Sequence, residues 1–65
     1  MESETAAHAE FLSRKEVVRL SGLSASTIDR QVAVGEFPKP YRLSRNRVGW
    51  RPSEVQAWID ARPRA

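Results

Sequence analysis

The stretch that decides the fold runs from Ser13 to Gly35: Ser-Arg-Lys-Glu-Val-Val-Arg-Leu-Ser-Gly-Leu-Ser-Ala-Ser-Thr-Ile-Asp-Arg-Gln-Val-Ala-Val-Gly. Ser13 and Glu16 have the spacing of a capping box, in which the hydroxyl accepts from the Glu16 amide and the carboxylate reaches back. Leu12 before the cap and Val17 at the fourth helical position fit a hydrophobic staple. Val17, Val18 and Leu20 give a short apolar face, and Gly22 stops the helix because it takes positive φ without a steric clash. The spacing predicts a first helix over 14–21. Ser24 is the N-cap of a second, over about 25–34, with Leu23 as a buried spacer and Gly35 just beyond its end. Ile28 and Val32 lie four apart and share its apolar face. Two short helices joined by Gly22-Leu23-Ser24 match a helix-turn-helix unit.

Proline changes the structure downstream. Glu36-Phe37-Pro38-Lys39-Pro40 cannot be helical, and Phe37 is the apolar plug of this extended link. Tyr41-Arg42-Leu43 and Val48-Gly49-Trp50 read as short strands. Ser44-Arg45-Asn46-Arg47 is the turn between them, with Asn46 suited to the left-handed conformation. Pro52 opens a last helix, with Glu54 in its first turn. Val55, Trp58 and Ile59 form one buried stripe, and Pro63 ends the helix near Arg62. Leu12, Val17, Leu20, Leu23, Ile28, Val32, Phe37, Leu43, Val48, Trp50 and Trp58 are the expected core. The expected fold is mainly α with a small β-hairpin: a winged helix-turn-helix in the order helix, helix, two-stranded wing, helix.

Upstream, residues 1–10 hold three acids and no Lys or Arg. They read as a disordered acidic tail before a single domain at 11–62, with 63–65 as a short tail. A 65-residue chain without cysteine has no disulfide or thiolate metal site to staple it, so helix packing or a partner must stabilise it. No apolar run approaches the roughly 20 residues of a membrane span. The N-terminus lacks the pattern of a signal peptide, so the expected location is the bacterial cytoplasm, at the nucleoid.

Charge points to the partner. The chain carries +3 overall, but residues 11–65 hold all 11 Lys and Arg against five acids, a net of +6. The densest stretch, 39–51, contains Lys39, Arg42, Arg45, Arg47 and Arg51 and no acid. A basic compact domain suggests a polyanion. On the second helix, steps of about 100° put Ser26 and Arg30 roughly 160° and 200° from Ile28, pointing away from the core. Arg30 is the first choice for a base, since its fork matches guanine O6 and N7. Ser26 is small enough for close approach. Ser24 and Thr27 suit phosphate near the helix start, and Gln31, on the flank, is a weaker match to adenine. Asp29 could accept from cytosine N4 or hold Arg30, although a structural or exclusion role is favoured. In the wing, Arg45 and Arg47, flanking Asn46, suit a narrow minor groove or its phosphates. Lys39, Tyr41 and Arg42 are candidates for the backbone. Arg14 and Lys15 oppose the helix dipole, which fits either a phosphate neighbour or a solvated pair.

The residues also carry a resemblance. Gly22-Leu23-Ser24, Ser26-Thr27-Ile28 and Arg30 are followed by Gly35-Glu36-Phe37-Pro38, Pro40, Leu43, Val48 and Trp50. Ser53-Glu54-Val55 and Ala57-Trp58-Ile59 complete an ordered set that resembles the AlpA-type phage regulators. These are small winged-helix proteins related to phage excisionases and, distantly, to the MerR DNA-binding head. Ser44 and Asn46 stand where the family often carries Gly and Arg, and Asp29 where it often carries an aromatic ring. The resemblance implies double-stranded DNA as partner, with the second helix in the major groove and the hairpin as a wing. It also implies regulation of prophage genes or direction of excisive recombination. Copies of the chain on adjacent sites, an integrase or RNA polymerase are the further partners it suggests.

Enzyme chemistry is not expected. The one His is in the tail, and neither paired carboxylates at a cleft spacing nor a Gly-rich phosphate loop is present. No cofactor or metal is expected. The competing reading is a protein-interaction module on the same scaffold.

Overall fold

Capping chemistry sets both ends of α1 (Arg14–Ser21) in the computed structural model, which describes residues 11–65. The Ser13 hydroxyl accepts from the Glu16 amide at 3.2 Å, and the Glu16 carboxylate accepts from the Ser13 amide at 2.8 Å. Gly22, at φ 78°, closes the helix by donating its amide to the Val18 carbonyl. Ser24 then caps α2 (Ala25–Ala33) through the Thr27 amide. This helix ends one residue earlier than its sequence suggests. Val34 is the cap residue and Gly35, at φ 81°, turns the chain out into the proline-rich link. The expected acidic tail at 1–10 lies outside the described residues.

The hairpin follows as β1 (Tyr41–Ser44) and β2 (Arg47–Gly49), antiparallel, with Tyr41 opposite Gly49, Arg42 opposite Val48 and Ser44 opposite Arg47. The turn is therefore Arg45-Asn46 alone, two residues shorter than expected, and the register slips at Leu43. Asn46 does not take the left-handed conformation, since no non-glycine residue among those described has positive φ. The irregularity at Leu43 absorbs the twist mismatch that a left-handed turn residue would otherwise relieve. Trp50 does not continue β2 against β1. It exchanges backbone hydrogen bonds of 2.7 and 3.0 Å with Leu12, so the start of the domain is laced to the base of the wing. The last helix, α3 (Pro52–Asp60), begins at a proline, as expected, and ends at Ala61, ahead of Pro63.

The order is helix, helix, hairpin, helix: a winged helix-turn-helix, mainly helical. Val17, Ile28, Phe37, Trp50 and Val55 are buried, one from each successive part of the chain. Leu12, Val18, Leu23, Val32, Trp58 and Ile59 pack around them. Full burial of side chains this size contributes about 1.5–3 kcal/mol each before ordering costs, which is how a small unstapled chain holds together. Both indoles satisfy their N–H groups on the proline-rich link, Trp50 on the Pro38 carbonyl at 2.7 Å and Trp58 on the Glu36 carbonyl at 2.8 Å. Phe37 stacks against Trp58 with ring centroids 4.7 Å apart, so it is the plug its position suggests.

Three expected core residues are exposed: Leu20 (54%), Leu43 (42%) and Val48 (37%). On α1 the packed arc runs from Val17 to Val18, and Leu20 falls about 110° from its centre. Leu43 and Val48 lie on a two-stranded ribbon, and two strands without a covering layer cannot bury both faces.

Candidate nucleic-acid interface

The start of α2 is a knot of hydroxyls. Ser24 Oγ accepts from the Thr27 amide and donates to Thr27 Oγ1 at 2.9 Å, while Ser26 Oγ lies 3.4 Å from it. Thr27 Oγ1 also accepts from Arg30 Nη2 at 3.4 Å, which draws the guanidinium along the outer side of the helix. Ser24 is thus occupied as a cap, and Thr27 as an acceptor for both Ser24 and Arg30. Ser26 and Arg30 are exposed on the side away from buried Ile28, as the helical angles predict; Gln31 is half-buried on the flank.

Every residue of the hairpin from Tyr41 to Val48 is exposed. Arg45 and Asn46 form its tip and Arg47 opens β2. The Arg42 guanidinium donates to the Arg45 carbonyl at 3.2 Å and so steadies the tip from within the wing. Lys39 is exposed in the extended link. Tyr41 is placed differently: its hydroxyl donates to Glu54 at 2.7 Å, and its ring packs against Phe11. The Arg51 guanidinium covers both rings, 5.5 Å from Phe11 and 5.2 Å from Tyr41. These contacts fasten the root of the wing to the start of α3. The structure thus brings Ser24, Ser26, Thr27 and Arg30 together on one helix, and Arg42, Arg45, Asn46 and Arg47 on one ribbon.

Arg14 and Asp29 form an ion pair between the first turn of α1 and the side of α2, with 43% and 58% of the two side chains exposed. Arg14 also lies 5.7 Å from the Trp50 ring centre. Asp29 therefore holds Arg14 rather than Arg30. The signal in the sequence was a cation against the dipole in the first turn of α1; its partner, 15 residues on, follows no helical spacing. Among the described residues Arg30, Arg45 and Arg47 form no ion pair. The molecule thus offers hydroxyl and guanidinium donors on one helix and exposed cations on the ribbon. That combination suits the edges and phosphates of a duplex.

Among the described residues no helix is long and apolar enough to cross a membrane. The family model described as prophage CP4-57 regulatory protein (AlpA) matches residues 10–63. The chain is also 46% identical over 52 residues to ORF88 of Enterobacteria phage P4, described as an uncharacterized protein. That match covers 80% of this chain and 59% of the phage protein, so the chain spans less than two thirds of its relative's length. Helix-turn-helix, hairpin and Trp-bearing last helix all fall within the stretch matched by the family model, and the chain belongs to the AlpA family of prophage regulatory proteins.

Proposed function

We propose that this chain is a sequence-specific double-stranded DNA-binding regulator that works without enzymatic chemistry. In this reading α2 enters the major groove and the wing tracks the adjacent minor groove. One observation carries it: Arg30 on α2 and Arg45 and Arg47 on the hairpin stand exposed and, among the described residues, none of the three is paired with an acid. Arg30 reads a guanine edge with Ser26 beside it. Thr27 and Ser24 lie by the backbone at the helix start, with Gln31 on the flank. Arg45 and Arg47, with Asn46 between them, hold the minor groove or its phosphates, while Lys39 and Arg42 face the sugar-phosphate edge and Tyr41 fastens the root of the wing.

A single module of this size covers only about 600–1,000 Å² on DNA, so specificity needs several copies on adjacent sites or a larger partner. A prophage regulator of this kind acts as an excision directionality factor beside an integrase, as a transcription regulator beside RNA polymerase, or as both, in the bacterial cytoplasm. The test is a gel-shift series on duplex DNA across salt concentrations. Neutralising roughly five or six phosphates predicts a log–log slope of about −4 to −6. Absence of binding at low salt overturns the reading and leaves protein interaction as the role of the scaffold. Footprinting across phage attachment and promoter regions separates the two regulatory roles. An excision factor protects several adjacent sites and bends them, whereas an activator protects a promoter-proximal site.

A further inference from the structure

We propose that Arg14 serves as the counter-charge that lets α2 carry Asp29 into a polyanion's groove. The inference rests on the DNA-binding reading above and assigns a role to two residues which that reading leaves out.

Asp29 is a misfit on a helix that faces a polyanion. Asp29 stands on the shoulder of α2, about 100° from Ile28 and therefore between the buried side and the outward side that carries Ser26 and Arg30. It is the only acid on the helix, and it is 58% exposed. Left bare, it repels phosphates over a Debye length of about 10 Å at 0.1 M salt. Arg14 is a second misfit, a cation in the first turn of α1, where the helix dipole favours anions. The two misfits meet. Arg14 donates to the Asp29 carboxylate and rests against the face of Trp50, a fully buried anchor.

Folding stability does not account for the pair, since exposed ion pairs contribute about 0–1 kcal/mol. Positioning of Arg30 does not account for it either, because Arg30 bonds Thr27, one turn back on its own helix. Cancellation of the single negative charge on the groove-facing helix does account for it. Arg14 is in this sense a positioning residue for charge: it need not touch DNA itself.

The measurement is fluorescence anisotropy with a labelled mixed-sequence 30-base-pair duplex, in 0.1 M salt, on the full chain. Arg14→Gln removes the charge and keeps a polar, flexible, though shorter, side chain. Losing one compensating charge weakens binding by roughly three- to ten-fold at this salt. Asp29→Asn alone leaves affinity unchanged or tightens it. The decisive arm is the double variant, Arg14→Gln with Asp29→Asn, which returns to the wild-type affinity and salt slope. Arg14→Lys, which keeps the charge, stays within about two-fold of wild type. Melting by circular dichroism accompanies each variant.

Three results overturn the proposal. A double variant as weak as Arg14→Gln means that Arg14 contacts phosphate directly. Weakening by Asp29→Asn alone means that the carboxylate itself touches a base. A loss of affinity that tracks a loss of melting temperature means that the pair is structural. If the wild-type chain itself fails to bind at low salt, the DNA-binding reading falls instead, so the two failures are distinguishable.

Discussion

Adding one methyl group at Gly49 should loosen the wing from the body. Gly49 is buried at the end of β2, opposite Tyr41. A Cβ built there lies 2.8 Å from Leu43 Cδ1, 3.0 Å from Phe11 Cβ and 3.3 Å from the Leu12 carbonyl oxygen. These neighbours do not yield equally. Leu43 Cδ1 is the tip of a half-exposed side chain and can rotate away. The Phe11 and Leu12 atoms belong to the segment that exchanges hydrogen bonds with Trp50, the residue next to Gly49. Relief therefore requires moving backbone that is pinned by two hydrogen bonds. Overpacking of this kind costs about 1–3 kcal/mol. For a domain of this length, about 2 kcal/mol corresponds to a fall of roughly 8–16 °C in Tm. Thermal melts of Gly49→Ala followed by circular dichroism give the number. Adding Leu43→Ala should recover less than half of the loss, because the Phe11 and Leu12 contacts remain. A Gly49→Ala protein that melts within about 2 °C of wild type refutes the reasoning, and so does full recovery through Leu43→Ala.

Other substitutions test the remaining links. Ser13→Ala removes one half of the capping box and should cost about 1 kcal/mol, read as a lower urea midpoint at unchanged slope. Trp50→Phe leaves the part-buried Pro38 carbonyl without its donor, whereas Trp58→Phe frees the Glu36 carbonyl where water can reach it. The first should therefore cost about 2–3 kcal/mol and visibly more than the second, by the same urea titration. On DNA, Arg30→Ala should relax base preference at a guanine position in a binding-site selection. Arg47→Ala should weaken all sequences alike and flatten the salt slope by about one unit. Unchanged site preference in Arg30→Ala removes α2 from the reading role.

Much of this architecture is legible along the chain because it is local. The capping box, the Gly22 stop, the Ser24 cap and the proline at the start of α3 all involve residues within four positions of one another, and each stands where its chemistry requires. The wing is less legible. Its strands are found, but Asn46 keeps negative φ because the slip at Leu43 takes up the twist, and a register slip has no periodicity to announce it. Leu20, Leu43 and Val48 show that an apolar residue type gives no depth of burial when the opposing layer is missing. The Leu12–Trp50 bridge, the Tyr41–Glu54 bond and the Arg14–Asp29 pair join residues far apart in sequence. No spacing rule finds them before the helices are placed in space. On the interface, helical angles sort Ser26 and Arg30 outward correctly. The hydroxyl bonds that tie Ser24 and Thr27 to the helix itself, and the commitment of the Tyr41 hydroxyl to Glu54, appear only with the structure.

The bridge between Leu12 and Trp50 also bears on the timing of folding. Nearly the first residues of the domain to leave a ribosome pair with residues made roughly 40 positions later. The caps and contacts of the helix-turn-helix are short-range, although Val17 and Ile28 complete their burial only with Phe37, Trp50 and Val55. The root of the wing must wait for both ends of the chain, and its closure carries the entropy of the whole intervening loop. A nascent chain would thus carry an unanchored ribbon until Trp50 is made, so the root of the wing is among the last parts of the molecule to be assembled.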